Sequence, residues 1–438
     1  MRTLMWFTRD LRLEDNAALH ACRHADQLLC VFVVKPAWFE PGPWQCKPLG
    51  SHRWRFLWQT LQDLENQLHS RGQRLHIAWG DPRKVIPDLC HSYRIDRLCV
   101  SHQPGSYEAR HLQHIRTAMP GLAVNAYASL TLFEPRDLPF AINELPGTFS
   151  GFRRLVEKHR LAPAKPIPAP VTLPPAPGVP DDDRRQLPPV PTDPTKPLMT
   201  GGSRAAEAHV STYMSGGFLA TYKETRNALD DWTASGKFSP WLANGSLSVR
   251  SLWHAVATFE QEVVSNDSTY WMQFELLWRE YFYWYAIAHQ GRLFARDGVQ
   301  RIKRHGSFYP QRFRAWQEGN TPYPIVNACM KQLKATGYMS NRGRQLVASC
   351  LVHELAMDWR YGAAWFEEQL LDYDVASNYG NWQYLAGVGA DPRGWRQFDL
   401  AKQARQYDPD GAFVQRWQGD SKQQVPLYTV DAADWPIG

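Results

Sequence analysis

The sequence predicts an α/β N-terminal domain, built on a doubly wound five-stranded parallel sheet, followed by an all-α C-terminal domain. Three observations support this division. Short apolar runs alternate with helical patterns as far as about residue 127, long helix-favouring segments fill the chain from 201 onward, and 13 of the 32 prolines fall between them, in 161–200. We therefore expect domains at 1–135 and 201–430, a linker at 136–200 that is proline-rich from 161, and a tail at 431–438.

The first half contains five apolar runs of strand length, at residues 3–8, 28–34, 74–79, 97–101 and 122–127. The clearest helical pattern covers 52–70 and ends at Gly72, and weaker ones cover 15–25, 82–93 and 107–118. Alternating strands and helices predict parallel pairing, with helices on both faces of the sheet. No GxGxxG turn follows the first strand, so a dinucleotide bound in the usual Rossmann manner is not expected there.

The second half is predicted to be helical throughout. Helix-favouring segments cover 203–227, 248–264, 268–290, 324–336, 342–358 and 360–371. The proline-rich stretch before them can form neither a helix nor a central strand, so we expect it to lie semi-extended on the surface between the domains.

Composition narrows the class of protein. With 21% charged and 44% hydrophobic residues, the 438-residue chain is globular. A net charge of +6 suits an anionic partner without demanding one. Seven cysteines without a CxxC pair argue against a disulfide framework or a metal site, and for a reducing cytoplasm. No signal peptide or membrane span is expected, because Arg9 and Asp10 break the first apolar run.

Aromatic residues make up 13% of the chain and include 19 tryptophans. One explanation is simple packing in a Trp-rich helical core. The other is a ligand made of flat rings, or a role in charge transfer. Composition alone leaves both explanations open.

The segment SGKFS (235–239) has the features of an anion site. Small residues let backbone N–H groups approach a phosphate, Lys237 adds positive charge, and a helix starting near Pro240 would add its positive end. An ordinary Ser-Pro helix start explains the same residues, so this signal is weak by itself.

The segment WMQFELLWREYFYWY (271–285) places Glu275 one helical turn from Trp278 and Arg279. A solvated Glu275–Arg279 pair is one interpretation. The other is a buried functional pair, which the aromatic residues on every side of this helix favour, since burying an unpaired charge is costly.

Further polar groups gather at 341–344 and 372–384. Carboxylates and amides beside aromatic rings suit a polar heteroaromatic ligand, although DYD and NYG are also ordinary turn sequences. Residues 292–316 hold seven Arg or Lys against one Asp, with aromatics interleaved. That stretch is either a surface facing a polyanion or a solvated loop.

At this point the sequence resembles the photolyase/cryptochrome family, and most closely its DASH branch. The resemblance spans nearly the whole chain. Its motifs are WFTRDLRLEDNAAL (6–19), TYKETRN (221–227), KFSPWLANGSLS (237–248), ELLWREYF (275–282), TGYMSNRGRQ (336–345), MDWRYGAAWFE (357–367), DYDVASNYGNWQYLAGVGADPR (372–393) and YDPDGAFVQRW (407–417). A set of long motifs in this order is highly specific.

The resemblance implies that the C-terminal helical domain binds FAD. The family's contacts around the phosphates correspond to Tyr222, Ser235, Lys237, Phe238 and Ser239. Those around the adenosine and the isoalloxazine correspond to Arg279, Arg344, Asp372, Asp374 and Asn378, of which Asn378 is similar to the residue that faces flavin N5. No metal is implied.

The resemblance also implies light-driven repair of cyclobutane pyrimidine dimers. Glu275 corresponds to the carboxylate that hydrogen-bonds the dimer bases, and Trp278 to the aromatic wall against which they stack. Asn341 and Arg226 correspond to substrate-side and DNA-side positions. The opposite wall is Trp in photolyases that act on duplex DNA and Tyr384 here, which implies repair mainly in single-stranded, ultraviolet-damaged DNA.

Two further features follow from the resemblance. Trp382 and Trp359 correspond to the inner two residues of the family's tryptophan electron path, but the outer Trp falls at Gly306. We expect the outer step to be absent or to use Tyr309, Phe308 or Trp316, of which Phe308 is the poorest donor. Glu108 corresponds to a carboxylate that binds a methenyltetrahydrofolate antenna, although its surroundings depart from the family pattern at Pro104 and Gly105.

Three functions therefore compete. The first is a monomeric, FAD-dependent lyase acting on single-stranded DNA. The second is a blue-light signalling protein without efficient repair, and the third is a flavoprotein that binds nucleic acid without regard to damage. The Glu275–Trp278 pair favours the lyase, because a sensor has no need of a cavity for the dimer.

Overall fold

The computed structural model describes residues 1–178, 183–192, 198–304, 306–390, 394 and 396–420. The predicted tail at 431–438, and residues 421–430 before it, lie outside the described residues.

The N-terminal domain contains the predicted five-stranded parallel sheet. Its strands are β1 (Arg2–Phe7), β2 (Gln27–Val34), β3 (Leu75–Trp79), β4 (Arg97–Ser101) and β5 (Ala123–Tyr127). Their order is β3-β2-β1-β4-β5, and every pair is parallel. The apolar run of β1 is continuous because this central strand is covered on both faces.

Seventeen α-helices are described: α1 (Ala17–Cys22), α2 (Ser51–His69), α3 (Pro82–Ser92), α4 (Ser106–Ala118), α5 (Phe149–Lys158), α6 (Ser203–Ser215), α7 (Tyr222–Thr225), α8 (Ser239–Asn244), α9 (Val249–Glu262), α10 (Asp267–His289), α11 (Pro310–Glu318), α12 (Pro324–Thr336), α13 (Asn341–Ser349), α14 (Trp359–Gln369), α15 (Val375–Leu385), α16 (Leu400–Tyr407) and α17 (Ala412–Arg416).

Helices cover both faces of the sheet, as the alternating pattern predicts. On one face, Leu19 of α1 and Leu61 of α2 join Met5 of β1 in a single core. On the other, Ile86 of α3 and Ile115 of α4 pack with the opposite side of the sheet. The strand order reverses beside β1, so the carboxyl ends of β1 and β4 border a crevice, the usual place for a ligand in such sheets.

The C-terminal domain is helical around α10. This 23-residue helix begins with a capping box formed by Asn266 and Thr269 and packs against α7, α9 and α15. An isolated bridge between Ser307 and Met357 is the β pairing found among the described residues of this half. The all-α prediction is thus confirmed, but α15 was not predicted, because the turn residues of DYD and NYG obscured it.

The predicted linker contains a helix and a docked segment. α5 lies within 136–200, and its Phe149 and Phe152 belong to the core of the helical domain. The proline-rich part accepts hydrogen bonds from the sheet domain: Asp15 N–H donates to Ile167 O (2.7 Å) and Leu28 N–H to Pro175 O (2.9 Å). Hence this part is bonded to the sheet domain at residues 167 and 175.

The cysteines and the hydropathy of the helices agree with what the sequence predicts. All seven cysteines are buried and unpaired. Within the described ranges, no helix has the length and apolar character needed to cross a bilayer.

Candidate functional site

The loop at 235–239 is held rigidly by its own lysine. Lys237 takes a left-handed backbone conformation (φ 48°) and is buried. Its Nζ donates to the carbonyls of Asp231 and Trp232 and to Ser235 Oγ, at 2.9, 2.7 and 3.1 Å. Burial lowers the pKa of the ammonium to about 8. The strained backbone therefore persists because the side chain ties the loop to itself.

The other members of this loop have separate roles. Phe238 is buried, with its ring 5.3 Å from that of Tyr213, so it anchors the loop in the core. Ser239 opens α8, as the sequence predicts for a start near Pro240, and its hydroxyl donates to Asp372 Oδ2 at 2.6 Å.

Asp372 joins the loop to α13. The same Oδ2 accepts from Arg344 Nη2 at 2.8 Å, and Arg344 Nε donates to Met339 O. The carboxylate is only 3% exposed, yet its Oδ1 is buried and has no hydrogen-bond partner among the described residues. A buried unpaired oxygen is costly, and its position beside Ser239 suits an N–H or O–H donor from a ligand.

Asp374 and Asn378 are positioned by α15. Asp374 caps this helix, accepting from Ser377 N–H through Oδ1, while its Oδ2 accepts from Arg9 at 3.0 Å. Asn378 Nδ2 donates to Ala363 O at 3.0 Å, which leaves Oδ1 as an acceptor with no donor among the described residues. The first turn of α15 thus carries both an ion pair between the domains, at Asp374, and an amide oxygen without a donor among the described residues, at Asn378.

Glu275 and Arg279 do not pair with each other, so the interpretation as a solvated pair is wrong. Glu275 Oε1 accepts from Arg226 Nη1 at 2.5 Å, with the two side chains 31% and 20% exposed. Partial burial raises the pKa of Glu275, against the opposing effect of Arg226. Arg279 donates instead to the carbonyls of Leu130 and Leu242.

Trp278 and Tyr384, the two residues predicted to face the substrate from opposite sides, lie next to each other. The rings of Trp278 and Tyr384 are 6.0 Å apart and nearly perpendicular, at 82°. Phe149 stacks on Trp278 with the ring centroids 3.8 Å apart, and the Phe282 ring lies 5.4 Å away at an angle of 32°. Trp278 and Tyr384 are both half-buried, which keeps this corner accessible.

Tyr222 and Asn341 are each the first residue of a helix. Tyr222 begins α7, and burial raises the pKa of its phenol well above the ordinary value. Asn341 is the first residue of α13, after the capping Ser340, and its side chain is exposed. Tyr222 is thus buried and Asn341 exposed.

Trp382 and Trp359 are buried, at 2% and 3% exposure. A Cβ built on Gly362 would lie 2.2 Å from the Trp382 ring, so that ring touches α14 one turn from Trp359. Trp316 is fully buried, with its ring 6.4 Å from that of Trp382.

Glu108 lines a cleft of about 940 Å³ between the domains, at the carboxyl ends of β1 and β4. A Cβ on Gly105 would lie 2.0 Å from Glu108 Oε2, so the glycine at this departure from the family pattern makes room for the carboxylate. The cleft is cationic, with three acids, Asp81, Glu108 and Glu367, against seven cations: Arg9, Lys35, Lys47, Arg53, Arg83, Arg116 and Arg360.

Part of the basic stretch at 292–316 forms ion pairs and hydrogen bonds within the protein. Arg292 pairs with Asp297 at 2.8 Å, and Arg296 and Arg312 donate to backbone carbonyls. Arg301 and Arg314 are exposed.

Two structural observations show that these residues suit FAD as a ligand. Asp372 Oδ1 and Asn378 Oδ1 are acceptors without a donor in the described part of the chain, and Asp372 is bonded to Ser239 of the loop whose backbone Lys237 fixes. A flavin ring system and its ribose supply N–H and O–H donors. No group of three or more His, Cys, Asp or Glu in the described parts of the chain could hold a metal ion.

Sequence reasoning missed several residues of this region. Arg9 was noted only as a break in an apolar run, although it pairs with Asp374 across the domains. Phe149, in the predicted linker, backs Trp278. Neither partnership could be read from local patterns, since the paired residues lie 365 and 129 positions apart.

Comparison with known proteins covers both domains. A family model described as DNA photolyase matches residues 3–171, and one described as the FAD binding domain of DNA photolyase matches 271–429. A Cryptochrome DASH from Idiomarina loihiensis is 50% identical, over 99% of this chain and 96% of the relative. Another from Vibrio parahaemolyticus is 48% identical, over 99% and 97%. The crystal structure of a Synechocystis sp. cryptochrome superposes with a TM-score of 0.91 at 37% identity, covering 97% and 91%.

Proposed function

Because this chain belongs to the photolyase/cryptochrome family, in its DASH branch, we propose that it repairs cyclobutane pyrimidine dimers with light, mainly in single-stranded DNA. The observation that carries the proposal is the corner formed by Trp278 and Tyr384, at 6.0 Å and 82°, with Glu275 one turn away on α10. A carboxylate beside two perpendicular rings suits a pair of flat, hydrogen-bonding bases.

FAD is held by the loop at 235–239, α13 and α15 in this proposal. Ser235 and Ser239 face the phosphates, Tyr222 and Phe238 shape that end, and Lys237 keeps the loop in place. Asp372 Oδ1 and Asn378 Oδ1 accept from the ligand, while Arg279, Arg344 and Asp374 fix the surrounding backbone and helix ends. The bound flavin supplies one-electron chemistry driven by light.

The protein's part in repair is to bind and orient the dimer. Trp278 offers one stacking face, and each stacked base contributes about 1–3 kcal/mol. Glu275 accepts from base N–H groups. Arg226 holds this carboxylate before DNA binds, and a DNA phosphate that draws the guanidinium away would free Glu275 for the bases. Asn341 contributes at the exposed rim.

The preference for single strands rests on Tyr384. A dimer must leave the stack before it can enter the corner, and this costs less where no duplex is disrupted. A phenol ring offers less stacking area than an indole, so it compensates less of that cost. The exposed part of 292–316 would add sequence-independent attraction to the DNA backbone.

Trp382 and Trp359 form the inner electron path toward the flavin, through the contact of Trp382 with α14. The inter-domain cleft holds the antenna, for which we propose methenyltetrahydrofolate. Glu108 would accept from the pterin ring, and the seven cations around the cleft would attract the carboxylates of the folate tail.

The decisive experiment measures repair under blue light of oligonucleotides carrying one dimer, in single-stranded and duplex form. We expect turnover on the single strand, weaker turnover on the duplex, and loss of both in Glu275→Ala. Glu262→Ala, at an exposed position of α9, is the matched control and should behave as wild type. No repair of either substrate would reject the lyase and favour the signalling protein. Equal binding of damaged and undamaged strands without repair would favour the unspecific flavoprotein.

A further inference from the structure

The inter-domain cleft contains two half-buried charges of opposite sign, Lys35 and Glu108, that have no protein partner. Lys35 directly follows β2, Glu108 lies in the first turn of α4, and both side chains line the cleft. The Lys35 ammonium lies 5.0 Å from the Trp38 ring, and neither side chain forms a hydrogen bond or an ion pair within the described residues. A desolvated charge without a partner is costly, so each suits a polar group of a ligand.

The other charges of the cleft are paired, bonded to backbone or exposed. Three cations form ion pairs at 2.5–3.0 Å: Arg9 with Asp374, Arg83 with Asp81 and Arg360 with Asp358. Arg53 donates to two backbone carbonyls, and the remaining two cations, Lys47 and Arg116, are exposed. The third acid, Glu367, accepts from Tyr379 at 3.4 Å. Lys35 and Glu108 differ from all of these in being half-buried and unpaired in the described part of the chain.

The sheet topology brings these two groups to the cleft from different strands. β2 and β4 flank β1, so their carboxyl ends are two strand spacings, about 10 Å, apart. Lys35 and Glu108 therefore approach the cleft from opposite sides of β1, with room for a flat ring between them. Burial lowers the pKa of Lys35, against the opposing effect of the Glu108 charge. The ammonium is thus partly withdrawn from water, where a lysine normally places it.

The chemistry of the two groups limits which ring can lie between them. An ammonium only donates and a carboxylate only accepts, so the ligand needs an acceptor and donors along one edge. The pyrimidine ring of a pterin has this edge, because its 4-oxo group is followed by an N–H and by a 2-amino group. A flavin or a lumazine has a second carbonyl in place of the amino group, and that carbonyl would face Glu108. The pair therefore favours a 2-amino-4-oxo ring.

We propose that Lys35 is a specificity-determining residue of the cleft, which donates to the 4-oxo group of a pterin while Glu108 accepts from its N–H and 2-amino groups. This rests on the proposed folate antenna and deepens it, since it states which edge of the ring the protein reads. A ring with an amino group in place of the 4-oxo group would bring a donor against the Lys35 donor. The cleft should therefore reject such a ring.

The test compares folic acid with aminopterin, which carries a 4-amino group in place of the 4-oxo group and has the same tail. Their affinities are measured by equilibrium dialysis against the full FAD-loaded chain. We expect the wild type to prefer folic acid by about tenfold or more, the effect of one hydrogen bond to a charged group. Lys35→Met should lose this preference, because only folic acid gives up a contact. Lys35→Gln should accept both ligands, because an amide both donates and accepts.

Lys47→Met is the matched control, since it removes the same charge from the same cleft at an exposed position. It should weaken both ligands alike, because they share the carboxylate tail, and should keep the wild-type preference. Equal flavin content and equal thermal unfolding show that each variant has folded. An unchanged preference in Lys35→Met would overturn the proposal. An equal loss of affinity for both ligands would also overturn it, because Lys35 would then act only through net charge.

The role of Lys35 and the folate antenna can fail separately. Retention of 5,10-methenyltetrahydrofolate by the wild type after gel filtration, seen as near-ultraviolet absorbance, tests the antenna. If it is retained while the wild type binds folic acid and aminopterin equally, only the role of Lys35 is rejected. If no folate is retained, both are rejected, and repair of dimers still tests the lyase separately. Guanosine monophosphate carries the same edge on a purine, and tighter binding of it than of folic acid would overturn the assignment to a pterin.

Discussion

Arg9 and Asp374 join the two domains through an ion pair of 3.0 Å, with side chains 21% and 15% exposed. Arg9 follows β1 at the rim of the inter-domain cleft, and Asp374 caps α15, which carries Asn378 and Trp382. The sheet domain thereby fixes the first turn of a helix that belongs to the proposed flavin site.

Because of this pair, we expect Arg9→Ala to weaken FAD retention. It should also lower the free energy of unfolding by about 1 kcal/mol, which is the usual contribution of a partly exposed hydrogen bond between charged groups. Asp374→Asn keeps the Oδ1 acceptor for Ser377 N–H and so preserves the cap. We expect it to lose less stability than an Asp374→Ala variant. Urea unfolding of the apoprotein and flavin content after gel filtration measure the two effects, and unchanged flavin content in Arg9→Ala would contradict the link.

Replacing Tyr384 by Trp should strengthen binding of a dimer within duplex DNA. The larger ring adds stacking against the extruded bases, for which about 1 kcal/mol, or roughly fivefold in affinity, is expected. Binding of duplexes with and without a dimer, measured at one fixed salt concentration, checks this, and the undamaged duplex serves as the control. An increase common to both duplexes would point to general DNA attraction instead.

Glu280 predicts a pH dependence of stability. It is fully buried, accepts from Leu132 N–H, Phe133 N–H and Trp284 Nε1, and burial raises its pKa to about 7. Since the folded protein holds this proton more tightly than the unfolded chain, the stabilising contribution is present below about pH 4.5 and is lost as pH rises to about 7. The change is about 3 kcal/mol.

Urea unfolding at several pH values tests this expectation. Glu280→Gln carries no titrating group and should flatten that part of the profile, whatever its effect on absolute stability. Glu262→Gln, at an exposed position, should retain the wild-type slope. A profile of equal slope in Glu280→Gln would show that other groups cause the dependence.

Gly380 allows α15 to pack closely on α10. A Cβ there would lie 2.3 Å from the ring of Phe282, so Gly380→Ala should destabilise the protein by about 1–3 kcal/mol, more than the gain of about 1 kcal/mol in helix propensity. It should also reduce flavin content, because α15 carries Asn378. Gly121→Ala, where nothing lies within 4 Å, is the control. Thermal unfolding and flavin absorbance provide the measurements.

Much of the architecture could be predicted because its signals are local. Strand and helix periodicity located the five strands and the long helices, with α12 at the predicted bounds. The helix α15 was not predicted, because its sequence contains turn-like residues and Gly380. These residues allow close packing of the helix, which only the folded structure shows. The family motifs named both Glu275 and Arg226, but not the ion pair between them, because Arg226 follows α7 and Glu275 lies on α10. Ion pairs between distant segments leave no periodic trace in a sequence.

The carbonyl groups of the proline-rich segment accept hydrogen bonds from the sheet domain, and this determines how the motion of the segment can be measured. Proline has no amide hydrogen, so the 13 prolines at 161–200 give no signal in hydrogen exchange. Its attachment is visible from the donor side instead, as slow exchange of the Asp15 and Leu28 amides, which bond to Ile167 and Pro175. Those two amides would report when the covalent connection between the domains lifts from the surface.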